Sequence, residues 1–193
     1  MTTAAASDPR VPAAAESRPR FTPLQRLLHW LMAIGILAML FIGVGMVSTV
    51  TQTYLTLVSI HKPLGVALLA LVVIRVVLRL IHGAPALPAD LPEPMRLAAG
   101  LSHIALYGLM IAMPLIGWAM MSAEDYPITL WGGFNLPAIV SPSRELHSWL
   151  WDAHRTLAFF FFALVLLHIA AALFHALVRR DGVFQQMAGG KAS

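Results

Sequence analysis

The 193-residue chain contains no cysteine. That excludes disulfides, cysteine-ligated iron–sulfur clusters and the Cys-x-x-Cys-His attachment of a covalently held c-type haem. Charge is nearly as scarce. Only 11% of residues are charged, against about 25% in soluble domains. Hydrophobic residues make up 59% and the mean hydropathy is +0.76, so a soluble domain is excluded. The long apolar runs hold no carboxylate in their interiors. This removes the oxygen donors common at zinc and transition-metal centres and disfavours a metal transporter. Alternating polar and apolar patterning is also missing, which excludes a membrane β-barrel.

What is present is four long apolar segments, Leu27–Val50, Val58–Ile81, Met95–Met121 and Trp149–Val178. Each reaches the roughly 20 residues that a bilayer-spanning helix needs, and a helix satisfies its own backbone in lipid. The expected fold is an all-α integral membrane protein, a four-transmembrane-helix bundle over residues 21–183. Residues 1–20, rich in Ala, Pro and Arg, read as a disordered tail rather than a signal peptide. The first span then acts as an uncleaved insertion signal, and residues 184–193 form a second tail.

The net charge of +4 does not point to nucleic acid, because its distribution follows the spans. Ten basic residues fall on one side: Arg10, Arg18, Arg20, Arg26, Arg75, Arg79, Arg96, Arg179, Arg180 and Lys191. Only Lys62, Arg144 and Arg155 fall on the other. The positive-inside rule makes both termini cytoplasmic. The long connection after the third span then lies outside. Its Trp131, Phe134 and Ile139 suit the membrane surface, as a cap on the bundle or a partner-binding segment. Thr22 and Pro23 open helix one, Pro114 and Gly117 predict a kink in helix three, and "HGAPALPADLPEP" cannot be helical throughout.

Eight histidines stand among this apolar sequence. Ionisable groups inside a membrane are costly and usually functional. His154, His168 and His175 fall 14 and 7 residues apart, within about 40° and 20° of one helical stripe. His154 and His168 are separated by ~21 Å along the axis. That is too far for one metal ion and suits two flat macrocycles stacked across a bilayer, each bound as a b-type haem by two imidazoles. Arg75 and Arg79, one turn apart on helix two, call for a buried anion such as a haem propionate, or else reach to the headgroups. Gly65, four residues after His61, leaves room beside that residue for a macrocycle or for a packed helix. His147 reads as a headgroup-level residue and His82 as a solvated one.

"LLHW" at the start of helix one, "IHKPLG" in helix two, "RVVLRLIHG" at its end, "PLIGWAMM" in helix three and the 14-residue His154–His168 interval resemble the prokaryotic cytochrome b561 family. The resemblance covers roughly Arg20 to Asp181. It implies a di-haem bacterial inner-membrane cytochrome with His29, His61, His154 and His168 as axial iron ligands. Topology then pairs His61 with His154 on the external side and His29 with His168 towards the cytoplasm. A depth ruler conflicts with the second pair: His168 lies ~16 Å before Arg179, whereas His29 is ~4 Å from Arg26. By depth alone His175 is the better partner. With His168 as the ligand, His175 is left as a propionate or quinone contact.

The resemblance also implies ubiquinone as electron acceptor, and in one branch an external superoxide donor. Lys62 beside His61 and Arg155 beside His154 place two cations where a small anion would be attracted. They equally suit interfacial anchoring. The alternative is a haem-containing anchor subunit that passes electrons from a partner dehydrogenase or hydrogenase to quinone, with the external segment as its docking surface.

Overall fold

A computed structural model describes residues 20–189. The expected disorder of residues 1–19, and Arg10, Arg18 and Lys191 of the basic count, lie outside these residues, as do positions 190–193 of the expected second tail. Four long helices follow one another: α1 (Pro23–Ser48), α2 (Gln52–His82), α3 (Glu93–Ala123) and α4 (Arg144–Leu173). A π-helical segment (Phe174–Arg179) continues α4, and a short α5 (Val183–Ala188) follows. Among the described residues there is no β-strand, only an isolated bridge between Thr129 and Asn135. All four long helices have the length and apolarity to cross a membrane. The chain is a multi-pass membrane protein.

Local chemistry sets the helix ends. Thr22 and Gln25 form a capping box, Gln25 N donating to Thr22 Oγ1 (3.2 Å) and Thr22 N to Gln25 Oε1 (2.9 Å), with Pro23 at the first helical position. These satisfy donors a helix start leaves unpaired. Thr51 caps α2, which begins at Gln52. The stretch "QTYLT", which precedes the apolar run beginning at Val58, is therefore helical, because a threonine cap outweighs the weak helix propensity of its β-branched residues. Gly83 ends α2 at φ 70°, a conformation costly for other residues. Ser143 caps α4 and is held to α3 by its own N–H on Ala123 O (2.9 Å). α3 runs through Pro114 without interruption.

α1 packs along α2, α3 along α4, and α2 against α3. The bundle thus has a terminal end, near Pro23 and Arg179, and a loop end, near Ser48 and Arg144. Exposed Ile, Leu, Phe and Val cover its outside, as a lipid-facing surface requires. Leu40, Leu106, Met113 and Phe161 form a buried layer between the ends. Phe161 stands seven residues from both His154 and His168, so this layer separates their depths.

The loop-end connection folds onto the bundle. Trp118 Nε1 donates to Pro137 O (2.9 Å), Ile139 N to Ser122 Oγ (3.2 Å) and Lys62 Nζ to Pro127 O (3.2 Å). Trp131 and Phe134 remain exposed.

Candidate functional site: two facing imidazole pairs

The histidines meet across the space between the α1–α2 hairpin and α4. His61 of α2 faces His154 of α4 near the loop end, with ring centroids 6.2 Å apart and planes at 66°. His29 of α1 faces His168 of α4 near the terminal end, at 6.3 Å and 74°. Two imidazoles bound on opposite sides of one metal, with bonds of about 2 Å, place their centroids roughly 6.3 Å apart. Both separations fit that arrangement. His61 and His154 each hold a buried Nδ1 without a hydrogen-bond partner, an expense normally offset by a ligand or second-shell group. No group of three or more His, Asp or Glu able to hold a bare metal ion occurs among the described residues. The donor set therefore fits two macrocycle-bound irons better than a naked ion.

His175 does not meet His29. Its Nδ1 lies 2.7 Å from Asp181 Oδ2. The depth ruler fails here because α4 continues through the π segment to Arg179, whereas α1 begins at Pro23. The two helix ends are thus unequal markers of depth.

Sequence reasoning gave His103 no role. It sits on α3 with its ring 5.7 Å from that of His168, making a three-imidazole group with His29. Its signal was its place inside a span, the criterion applied to the others. Gly117 was noticed only for a kink. A Cβ there would lie 3.3 Å from His154 Cε1 and 3.7 Å from Nδ1, so the glycine clears space for that ring. A Cβ on Gly65 would meet only the Met39 methyl, at 3.7 Å. That is ordinary contact between α2 and α1 at this position.

Arg75 is half-buried, donating from Nε to Tyr107 OH (3.1 Å) and from Nη1 to Gln25 O (3.0 Å). These partners are neutral, so its charge has no protein counter-ion among them. Arg79 lies over the Tyr107 ring at 5.8 Å, a cation–π contact. Buried Gln25 ties the group to the end of α2 by donating to Gly83 O (3.2 Å). His103 and Tyr107 are one turn apart on α3, so polar groups of three helices gather beside the His29–His168 pair.

The loop-end cations are engaged locally. Lys62 holds the connection, and Arg155 lies 3.7 Å from Asp152. His147 stacks on Trp151 and places Nδ1 3.0 Å from Met120 O. His82, the last residue of α2, is exposed with Nδ1 3.1 Å from Leu78 O.

Two facing imidazole pairs at different depths of a four-helix membrane bundle define a class: membrane cytochromes that transfer electrons. Comparison with known proteins narrows the class. Residues 20–190 match the prokaryotic cytochrome b561 family. Cytochrome b561 homolog 2 of Escherichia coli strain K12 is 32% identical over 177 residues, spanning 90% of this chain and 94% of that protein. Cytochrome b561 homolog 1 of the same organism is 29% identical, over 87% and 96% respectively. A Yersinia pestis protein named probable superoxide oxidase CybB is also 29% identical, over 87% and 95%. The chain belongs to the prokaryotic cytochrome b561 family, whose members are b-type haem proteins of membrane electron transfer.

Proposed function

We propose that the protein is a di-haem cytochrome of the bacterial inner membrane that oxidises superoxide on the external side and reduces ubiquinone. The observation that carries the reading is the two imidazole pairs, 6.2 and 6.3 Å across, on opposite sides of the Phe161 layer. The likeness to the probable superoxide oxidase supports the donor. Both termini are cytoplasmic in this reading, supported by the ten-to-three division of basic residues.

His61 and His154 would hold one iron, and His29 and His168 the other. The His103–His168 separation of 5.7 Å is shorter than a shared-metal pair of the roughly 6.3 Å kind, which favours His29 as the ligand. Two histidines per iron leave no place for oxygen, so a bound haem supplies one-electron transfer alone. Arg75 and Arg79 would hold haem propionates, which would give the half-buried guanidinium of Arg75 an anion. Gly65 and Gly117 leave clearance for the macrocycle and for His154. Lys62 and Arg155 raise the local concentration of a small anion at the external pair. His175 contacts quinone at the cytoplasmic end.

Stopped-flow mixing of the purified holoprotein with superoxide tests the reading. The haem bands should reduce rapidly, then reoxidise when ubiquinone is added. Absence of reduction by superoxide overturns the donor and leaves the anchor-subunit alternative, in which the loop-end connection docks a partner.

A further inference from the structure

We propose that Asp181 is a positioning residue that fixes His175 as the proton donor to quinone, with Arg179 and Asp90 holding Asp181 in place. The inference rests on the quinone-reductase reading above.

Chain geometry brings the pair together. The π segment places His175 one turn from the end of the span, and Arg180 N donates to His175 O at 2.8 Å. π segments inside helices often mark functional positions. Arg180 then adopts φ 52° and Gly182 φ 82°. Two left-handed residues so close together reverse the chain and return Asp181 against the imidazole. A left-handed arginine is strained unless its surroundings hold it.

The carboxylate is densely bonded. Asp181 Oδ2 pairs with His175 Nδ1 (2.7 Å) and accepts from Arg179 Nε (3.0 Å), and Oδ1 accepts from Val183 N (3.2 Å). Arg179 Nη2 reaches Asp90 Oδ2 at 2.8 Å, in the α2–α3 connection. The network therefore joins three separate segments. Asp181 and His175 are 8% and 14% exposed in their side chains, whereas Asp90 is open to solvent. Burial alone would push the Asp181 carboxyl up; hydrogen bonds from His175, Arg179 and Val183 outweigh it and hold the carboxyl below the usual carboxylate range. Asp181 thus stays ionised and does not itself carry the transferred proton.

An ionised carboxylate on Nδ1 keeps a hydrogen on that nitrogen in both charge states of the ring. The proton that comes and goes is then on Nε2, and no change of tautomer is needed between donation and recharging. Reduction of one quinone takes two electrons and two protons, the electrons coming from two superoxide anions that leave as two dioxygen molecules. In each of two passes, the His175 Nε2–H bond breaks as an O–H bond forms on the quinone. Water at the cytoplasmic end then returns the proton to Nε2. The charged groups at this end are Asp181 and Arg179, Arg180 just past the π segment, Asp90 in the α2–α3 connection, which Arg179 reaches, and Arg26 of α1 beside Gly189. α5 carries no charge.

The test is the rate of quinone reduction by the holoprotein and its solvent deuterium isotope effect, with superoxide-driven haem reduction as the internal reference. Asp181→Asn no longer fixes the hydrogen on Nδ1, so it should cut quinone reduction several-fold and raise the isotope effect, with both haem spectra and haem reduction unchanged. Asp181→Glu should restore both readings. Arg179→Gln, which releases Asp181, should move them in the same direction as Asp181→Asn. A merely structural clasp would leave the isotope effect alone, and Arg179→Gln reads it if Asp181→Asn loses haem. An unchanged rate and isotope effect in both variants, with wild type active, overturn this inference alone. Absence of quinone reduction in wild type overturns the quinone reading as well.

Discussion

Gly117 of α3 faces the imidazole of His154 on α4, close enough that a methyl in its place would press on the ring. A Cβ at Gly117 would stand 3.3 Å from His154 Cε1, so an alanine there must displace the ring by a few tenths of an ångström. Core interiors transmit such shifts because they are close-packed.

Gly117→Ala should therefore alter one haem only. Redox titration of the variant should show one midpoint potential displaced and the other kept. Gly108→Ala is the control on the same helix, since a Cβ there meets nothing within 4 Å. Equal effects from both would mean that helix propensity, not clearance at His154, is being measured.

Ligand substitutions should fall into two classes. His61→Ala and His154→Ala should each remove the same haem, leaving the other's spectrum intact. His29→Ala and His168→Ala should remove the second. His175→Ala should keep both haems and weaken quinone reduction, because His175 is bound to Asp181 rather than turned towards His29. Difference spectra of the oxidised and reduced variants read the outcome. Haem loss in His175→Ala with retention in His168→Ala would reverse the pairing.

Neutralising Lys62 and Arg155 together should lower the second-order rate with superoxide several-fold and flatten its salt dependence, since attraction of a small anion is a rate effect. At physiological ionic strength the Debye length is ~8 Å, so only nearby cations count. Arg144→Gln is the distant control. Lys62 also pins the loop-end connection through Pro127 O, so Lys62→Gln should loosen that segment, visible as faster hydrogen exchange around Pro127–Trp131. Haem loss in the double variant would instead assign these cations to propionates.

The sequence reveals the bundle because solid apolar runs leave a chain in lipid few options. It reveals the histidine stripe on α4 because 14 and 7 residues nearly close whole helical turns. It does not reveal which histidine of α4 stands opposite His29. That depends on where two helices end relative to each other, and the π segment adds length to α4 that counting from Arg179 misjudges. His103 and Gly117 lie on α3, which carries no paired-histidine spacing, so only packing brings them to α4. The His175–Asp181 contact depends on a chain reversal at Arg180 and Gly182. An arginine in the left-handed region is not foreseeable from propensity. The same holds for α5, where Trp30 Nε1 donates to Met187 O at 3.2 Å and docks a stretch that composition alone reads as tail.

The central claim is that four histidines hold two haems. A pyridine haemochrome assay on the purified protein, set against polypeptide concentration, tests it most directly. Without cysteine neither haem can be covalent through thioether bonds, so the account predicts about two extractable haem b per chain. A ratio of one would contradict it.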